Sequence, residues 1–125
     1  MKKHDLERRL IEFSVDIIKL SRKLDNSYAG KHLSSQLIRS GTSVSLNYGE
    51  ALSGESKRDF IHKLKIILKE LRETHICLTI IKETFLCRDC KLLEEVKIEA
   101  NELICIFVTS INTTFKNLNL KNKSL

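Results

Sequence analysis

The chain has 125 residues and a formal net charge of +6, with 42% hydrophobic and 30% charged residues. This length supports one domain, and this composition excludes a disordered chain. The longest apolar run, Leu103–Val108, is far shorter than the roughly 18 residues of a membrane helix. Since the first residues also lack a signal-peptide pattern, we expect a cytoplasmic protein, without a membrane partner, whose four cysteines stay reduced.

The positive charge is concentrated in the first three-fifths of the chain. Residues 2–73 contain 15 Lys and Arg against 10 Asp and Glu, whereas residues 76–104 contain 4 against 6. The basic part therefore predicts an acidic partner, and nucleic acid fits this better than a membrane surface.

Helices are favoured along the chain because there is no proline and there are only four glycines. A first helix is predicted over about 5–24, where six apolar residues alternate at spacings of four and three. These are Leu6, Leu10, Phe13, Ile17, Leu20 and Leu24. A second helix is predicted over about 31–52, although its middle, 40–45, has low helix propensity. Either tertiary packing overrides propensity there, or the small residues let a neighbouring backbone approach closely.

A third helix is predicted over about 56–86. Gly54 suits the C-cap of the preceding helix, and Ser56 with Asp59 resembles a capping box at the new N-terminus. The inward positions keep a four-three spacing throughout: Phe60, Leu64, Ile67, Leu71, Thr74, Leu78, Ile81 and Phe85. At about 1.5 Å per residue such a helix is roughly 45 Å long, which suits a helical bundle.

A fourth helix is predicted over about 90–115, with residues 116–125 as a frayed tail. Its segment Leu103–Val108 is apolar on every side, whereas one bundle buries only one stripe. Either Ile104, Ile106 and Val108 contact another subunit, or the helix is merely unusually apolar; we favour the subunit contact. The whole chain is therefore predicted to be one all-α domain of four helices that forms a homo-oligomer.

One pair of thiols and one pair of a thiol with a histidine are the candidates for chemistry. Cys87 and Cys90 have the spacing of half a zinc site or of a redox pair, but neither further ligands nor a βαβ context accompany them. His75 can approach Cys105 across helices three and four, without a cleft or an oxyanion donor. Loop thiols and a core histidine are the simpler interpretation, so we expect neither catalysis, nor a metal, nor another cofactor.

The outer face of helix three is the candidate binding surface. Opposite its apolar stripe, five basic or imidazole side chains recur at spacings of four and three, and we call them the basic row: Arg58, His62, Lys65, Lys69 and Arg72. An ordinary solvated face usually mixes signs, but no acid interrupts this row, and Lys57 flanks it. The row and Lys57 therefore predict contacts with nucleic-acid phosphates rather than with base edges. The lack of Trp and the small number of aromatic residues disfavour sequence-specific reading of single strands.

Polar residues on helix two are predicted to face helix three. Pairing of the two helices about Gly54 puts Arg39 opposite Lys69 and Glu70, which predicts an ion pair of Arg39 with either Glu70 or Glu73. Such residues fix the register between helices or subunits rather than catalyse a reaction. Seven polar residues are assigned this structural role: Gln36, Arg39, Asn47, Glu50, Asp59, Glu70 and Glu73.

Three segments of the chain resemble the 23S rRNA intervening-sequence protein family, which is also called the four-helix-bundle protein family. They are Gln36–Ser40, Ser43–Ala51 and Ser56–Thr74, which follow the family pattern QLRRA…S…NIAEG and S…DF…KL…A.KE..ET. The resemblance covers nearly the whole chain and is most specific over residues 36–78. The chain departs from the pattern at Tyr48–Ala51, where Ile-Ala and then Gly are usual, and at Cys77, where Trp is frequent.

The resemblance implies an up-down-up-down antiparallel four-helix bundle that assembles as a ring-shaped homopentamer without enzymatic activity. Relatives include proteins encoded inside inserts of bacterial large-subunit rRNA genes. A more distant similarity, to the accessory variability determinant of diversity-generating retroelements, implies nucleic acid and a reverse transcriptase as partners. We therefore expect an oligomeric accessory protein that binds nucleic acid, with structured RNA as the ligand. The alternative is a scaffold or adaptor ring that binds a protein partner and no nucleic acid.

Overall fold

The computed structural model describes residues 2–54, 56–88 and 90–123, and these residues form four α-helices and no strand. The helices are α1 (Lys3–Ser21), α2 (Tyr28–Leu52), α3 (Lys57–Glu83) and α4 (Lys91–Lys123). Each helix packs against two others, because α1 and α3 both contact α2 and α4. Within the described ranges, none of the helices combines the length and the apolar character needed to cross a membrane.

All four helices contribute to one hydrophobic core. Its largest fully buried side chains are Phe13, Phe107, Leu10, Ile17, Leu20, Leu37, Leu64, Ile67, Leu71, Leu78, Ile81 and Leu103. Most positions of the predicted stripes lie in this core, since spacings of three and four keep side chains on one face of a helix. Tyr48 is also buried, and its ring meets the Phe107 ring edge to face with centroids 6.0 Å apart. This contact accommodates an aromatic residue at a position where the family usually has Ile.

The ends of the helices differ from the predicted ones. α1 ends at Ser21 and α3 at Glu83, both about three residues earlier than predicted. α4 instead continues to Lys123, so the prediction of a frayed tail was wrong for residues 116–123. Residues 124–125, which also belong to that predicted tail, lie outside the described residues, as does Asp89.

Phe85 was predicted to point inward from α3, and this was wrong. The helix has already ended, and Phe85 adopts a left-handed backbone (φ 57°) with 70% of its surface exposed. The amide of Leu86 donates to the carbonyl of Ile81, and the amide of Phe85 donates to that of Lys82. These two bonds form a Schellman motif, in which the left-handed position normally favours glycine.

The turn between α2 and α3 confirms one predicted cap and corrects another. The Ser56 hydroxyl accepts a hydrogen bond from the Asp59 amide at 3.1 Å, as an N-cap should. The residue that caps the C-terminus of α2 is Ser53, and Gly54 does not adopt a positive φ. The glycine is therefore not needed there for a left-handed turn.

The small residues of α2 allow α1 to approach closely. A Cβ built on Gly41 would lie 2.8 Å from two side-chain carbons of Ile17, which is closer than van der Waals contact. Next to it, the Ser14 hydroxyl donates to the Gly41 carbonyl at 3.2 Å, and the Ser45 hydroxyl donates to the Leu10 carbonyl at 2.8 Å. Of the two interpretations of this low-propensity segment, close helix packing is confirmed.

Candidate nucleic-acid interface

The basic row lies along the outer side of α3, and all five of its side chains are exposed, as is Lys57. The opposite side of the helix is buried in the core through Leu64, Ile67 and Leu71. Among residues 2–54, 56–88 and 90–123, no carboxylate forms an ion pair with any member of the row. Since no described carboxylate pairs with these charges, they are available to an external anion.

The nearby acidic residues of α3 are held by α2. Arg39 Nη1 lies 3.4 Å from Glu70 Oε2, and Arg39 Nη2 donates to Glu73. Gln36 accepts a further hydrogen bond from Arg39 at 3.4 Å. Both ion pairs that the helix register predicted are thus present. They draw the carboxylates toward the α2–α3 contact and away from the basic row.

The other predicted register residues behave differently from one another. Glu50 forms an ion pair with Lys63 and so links α2 to α3. Asn47 instead donates to the Ser43 carbonyl of its own helix at 2.9 Å. Asp59 takes part only through its backbone amide, in the helix cap. Within the described part of the chain, Asn47 and Asp59 therefore make no hydrogen bond between helices, and the predicted role finds no support at these two positions.

Sequence reasoning missed two contacts that join helices. Arg9 on α1 forms a two-pronged interaction with Glu99 on α4, at 2.8 and 2.6 Å, and a further bond with Glu102 at 2.7 Å. The hydrogen bond with Glu99 raises the pKa of Arg9. In the core, the hydroxyls of Ser40 and Thr74 are hydrogen-bonded at 2.8 Å, and both residues are fully buried. The partners lie far apart in sequence, so only the pairing of helices reveals them.

The predicted subunit contact on α4 is largely covered by the chain itself. Ile104 and Ile106 pack against the hydrophobic core, and Val108 is half-buried. These residues are therefore only partly buried within one copy, and the subunit contact through them stays a prediction. Four apolar side chains of α1 and α2 are more exposed than these, and we call this set the α1–α2 apolar strip: Ile11, Val15, Ile38 and Leu46. Leu46 is the most exposed of the four, at 69%.

The cysteines and His75 do not come together into a described cluster. Burial raises the pKa of Cys87 to about 12, with help from a hydrogen bond to Cys90, and raises that of Cys77 to about 11. Cys105 is exposed, and no hydrogen bond joins it to His75, whose buried Nε2 has no partner among the described residues. No group of three potential metal ligands occurs within those residues.

An open cleft of about 410 Å³ lies where the N-terminus of α3 meets the ends of the other helices. It is lined in part by Lys3, Lys57 and Phe60, and the Lys3 ammonium lies 5.8 Å from the centre of the Phe60 ring. The cleft extends the positive surface beyond Arg58. It adds positive charge to the end of the basic row.

The sequence model of the 23S rRNA-intervening sequence protein family matches residues 2–108. The chain belongs to this family. A solved structure similar to it is that of a protein of unknown function from the S23 ribosomal protein family of Bacteroides thetaiotaomicron VPI-5482. The two are 33% identical with a TM-score of 0.79, over 90% of this chain and 99% of the other. Among curated proteins, none matches the chain. Membership of the 23S rRNA-intervening sequence protein family thus fits the four-helix fold.

Proposed function

We propose that this member of the 23S rRNA-intervening sequence protein family is a non-enzymatic accessory protein of the cytoplasm that binds structured RNA. The observation that carries the proposal is the basic row, which is exposed and free of described ion pairs. Neutralising RNA phosphates with such side chains releases condensed counterions, which drives binding. The family's name refers to an rRNA insert and supports RNA as the first ligand to test.

The shape of the row favours phosphate contacts over base reading. From Arg58 to Arg72 the row spans about 21 Å at about 1.5 Å per residue. It runs along a helix on which Glu70 and Glu73 are paired with Arg39, and Asp59 beside Arg58 is the acidic residue of α3 next to the row that has no such ion pair among the described residues. Long flexible cations in a straight line position a nucleic-acid backbone without selecting a sequence.

Assembly is part of the proposal. We propose an antiparallel up-down-up-down bundle that associates into a ring, with five copies as the expected number. The hydrogen bonds of Ser45 with the Leu10 carbonyl and of Ser34 with the Ser21 carbonyl support opposite directions for α1 and α2. The α1–α2 apolar strip supports self-association, because removing it from water is favourable. Repetition of the formal charge of +6 around a ring would strengthen binding of a polyanion.

The test compares two triple charge reversals with equal net charge. Lys65→Glu/Lys69→Glu/Arg72→Glu changes the basic row, and Lys19→Glu/Arg22→Glu/Lys31→Glu changes exposed cations on α1 and α2. Fluorescence anisotropy with a labelled RNA hairpin across a salt series gives the affinity. We expect the first variant to lose at least tenfold in affinity at about 0.1 M salt, and the slope of log K against log salt to fall by about two to three.

The control variant should retain most of the affinity, since only the overall charge has changed. Equal losses in both variants would mean that net charge alone holds RNA, without a site. If the basic-row variant bound RNA with native affinity, the basic row would not be the RNA-binding site.

A scaffold or adaptor ring that binds a protein is the second candidate, and the α1–α2 apolar strip favours it. Under that function the native protein shows no salt-dependent RNA binding, and both triple variants behave as the native protein does. A protein partner such as a reverse transcriptase is compatible with either function. The scaffold function would be favoured if the basic-row variant retained that partner and the native protein did not bind RNA.

A further inference from the structure

We propose that the basic row leads to a stacking site for an unpaired RNA base, formed by Tyr28 and His32 at the start of α2. This inference rests on the proposed RNA binding and adds a second kind of contact to it. The ligand it predicts is an RNA in which a single-stranded extension follows a paired segment.

Tyr28 is the most exposed aromatic side chain among the described residues. Its ring is 87% exposed and lies nearly parallel to the imidazole of His32, with an interplanar angle of 10° and centroids 6.3 Å apart. Tyr28 is the first residue of α2, directly after the N-cap Ser27, whose hydroxyl accepts from the Gly30 amide at 3.2 Å. The cap fixes the backbone beneath the ring, so the ring is presented from a rigid element.

The helix register places this aromatic pair beside the distal end of α3. Cys77 Sγ lies 3.6 Å from the Leu33 carbonyl oxygen, and Thr74 is hydrogen-bonded to Ser40. In these two contacts, a residue nearer the start of α2 meets a residue nearer the end of α3. Extending this alignment by one residue from Leu33 puts His32 level with about Ile80. Tyr28 lies one turn further toward the end of α3. The pair therefore occupies the same end of the molecule as the last residues of α3.

The outer face of α3 connects the row to this pair. Ile76 follows Arg72 by one helical turn on the same face and is 60% exposed, and Ile80 follows by another turn and is 42% exposed. Arg72 and the level of His32 are thus separated by about 12 Å along the helix axis, at about 1.5 Å per residue. A strand advances about 3.4 Å per phosphate in duplex geometry, so a few nucleotides cover this distance.

The change from charged to apolar and aromatic surface matches the two parts of a nucleotide. Phosphates remain on the cations, whereas a base that has left its duplex offers a flat apolar face to the Tyr28 ring. Aromatic stacking of this kind tolerates any base, because every base has a π-face. Paired bases are already stacked inside the helix, so a blunt duplex contacts only the basic row.

The first experiment varies Tyr28 and the RNA together. Native protein, Tyr28→Ala and Tyr28→Phe are titrated with a blunt RNA hairpin and with the same hairpin carrying a 3′ single-stranded extension. We expect Tyr28→Ala to bind the extended hairpin about tenfold more weakly and the blunt hairpin as the native protein does. Tyr28→Phe keeps the ring and should match the native protein on both. Equal affinity of Tyr28→Ala and native protein for the extended hairpin overturns the inference.

The second experiment uses tyrosine fluorescence. The chain has no Trp and two Tyr, of which Tyr48 is buried. In a Tyr48→Phe variant, Tyr28 is therefore the sole tyrosine fluorophore. The extended hairpin should quench its emission, whereas heparin, a polyanion without bases, should bind and leave the emission unchanged. Equal effects of the two polyanions would contradict stacking.

The two proposals fail separately. If Lys65→Glu/Lys69→Glu/Arg72→Glu binds the blunt hairpin as the native protein does, RNA binding by the basic row is wrong. If that variant loses the blunt hairpin while Tyr28→Ala matches the native protein on both RNAs, only the stacking site is wrong.

Discussion

Phe85 stores backbone strain at the end of α3. Its left-handed conformation costs a residue with a Cβ about 1–2 kcal/mol, and its ring is mostly exposed and contributes little burial in return. We expect Phe85→Gly to raise the free energy of unfolding by about 1 kcal/mol, measured by urea denaturation. Phe85→Ala removes the same ring but keeps the strain, so it should give no such gain. A gain of equal size in Phe85→Ala would attribute the effect to the ring instead of the backbone.

The buried thiol of Cys77 makes the free energy of unfolding decrease at alkaline pH. Burial raises the folded-state pKa of Cys77 to about 11, whereas a thiol in the unfolded chain ionises near 8.5. Between these values the unfolded state loses a proton that the folded state keeps, so stability falls as pH rises from about 8.5 toward 11. Urea denaturation at pH 8 and pH 10 should show this decrease. The decrease should be smaller in Cys77→Ala, and an equal decrease in both proteins would contradict the assignment.

Residue-level contacts were predictable where helix register alone decides them. Arg39 could be paired with Glu70 and Glu73 because two helices joined by a short turn have a fixed alignment. Arg9 could not be assigned to Glu99, because the alignment of α1 with α4 is not set by a turn between them. Phe85 was misplaced because the four-three spacing continues past the residue at which the helix ends.

At the scale of the helices, α1 packs closely against Gly41 of α2 but not against Gly49. Substitutions at these two glycines should therefore have opposite effects on the free energy of unfolding. Gly41→Ala would bring a Cβ to 2.8 Å from Ile17 and force the helices apart, so we expect a loss of about 1–3 kcal/mol in the free energy of unfolding. Gly49, in the same helix, has nothing within 4 Å of a built Cβ. Gly49→Ala should therefore stabilise the protein by up to about 1 kcal/mol through helix propensity. Thermal unfolding of the two variants checks both signs, and destabilisation by Gly49→Ala would show that its surroundings are tighter than described.

The existence and order of the helices followed from apolar spacing, but their lengths did not. The spacing exists because each helix buries one face against its neighbours, so the signal disappears where a helix has nothing to pack on. Most side chains of α4 from Asn112 to Asn119 are exposed, and the helix continues there without an apolar stripe. Sequence reasoning therefore stopped α4 at about Phe115, eight residues before its end.

For the whole molecule, the α1–α2 apolar strip predicts how copies associate. Leu46→Glu places a charge at the most exposed position of that strip, where burial against another copy would be unfavourable. We expect light scattering to give a smaller mass for Leu46→Glu than for the native protein. Ile98→Glu is the matched control, because Ile98 is exposed to a similar degree on α4, away from the strip. A native monomer, or an unchanged mass in Leu46→Glu, would remove the strip as the contact.

The candidate interface was only partly accessible from sequence. The basic row could be read from the chain, since the outer face of a helix is fixed once its inner stripe is known. The aromatic pair was not found, because Tyr28 lies outside the predicted span of α2 and its distance from the row depends on how α2 aligns with α3. The α1–α2 apolar strip likewise combines residues of two helices, none of which forms a run in sequence.

The buried hydroxyls of Ser40 and Thr74 have an effect on the outside of the protein. If α2 slid by one turn, about 5.4 Å, the buried Ser40 hydroxyl would lose its partner at a cost of about 1–3 kcal/mol, whereas Thr74 would keep its hydrogen bond to the Glu70 carbonyl. The same slip would carry Arg39 away from Glu70 and Glu73, and two released carboxylates would then swing toward the cations of α3. The Ser40–Thr74 hydrogen bond in the interior thus supports the register that pairs these two carboxylates with Arg39, so we expect substitutions at Ser40 to weaken binding of a polyanion.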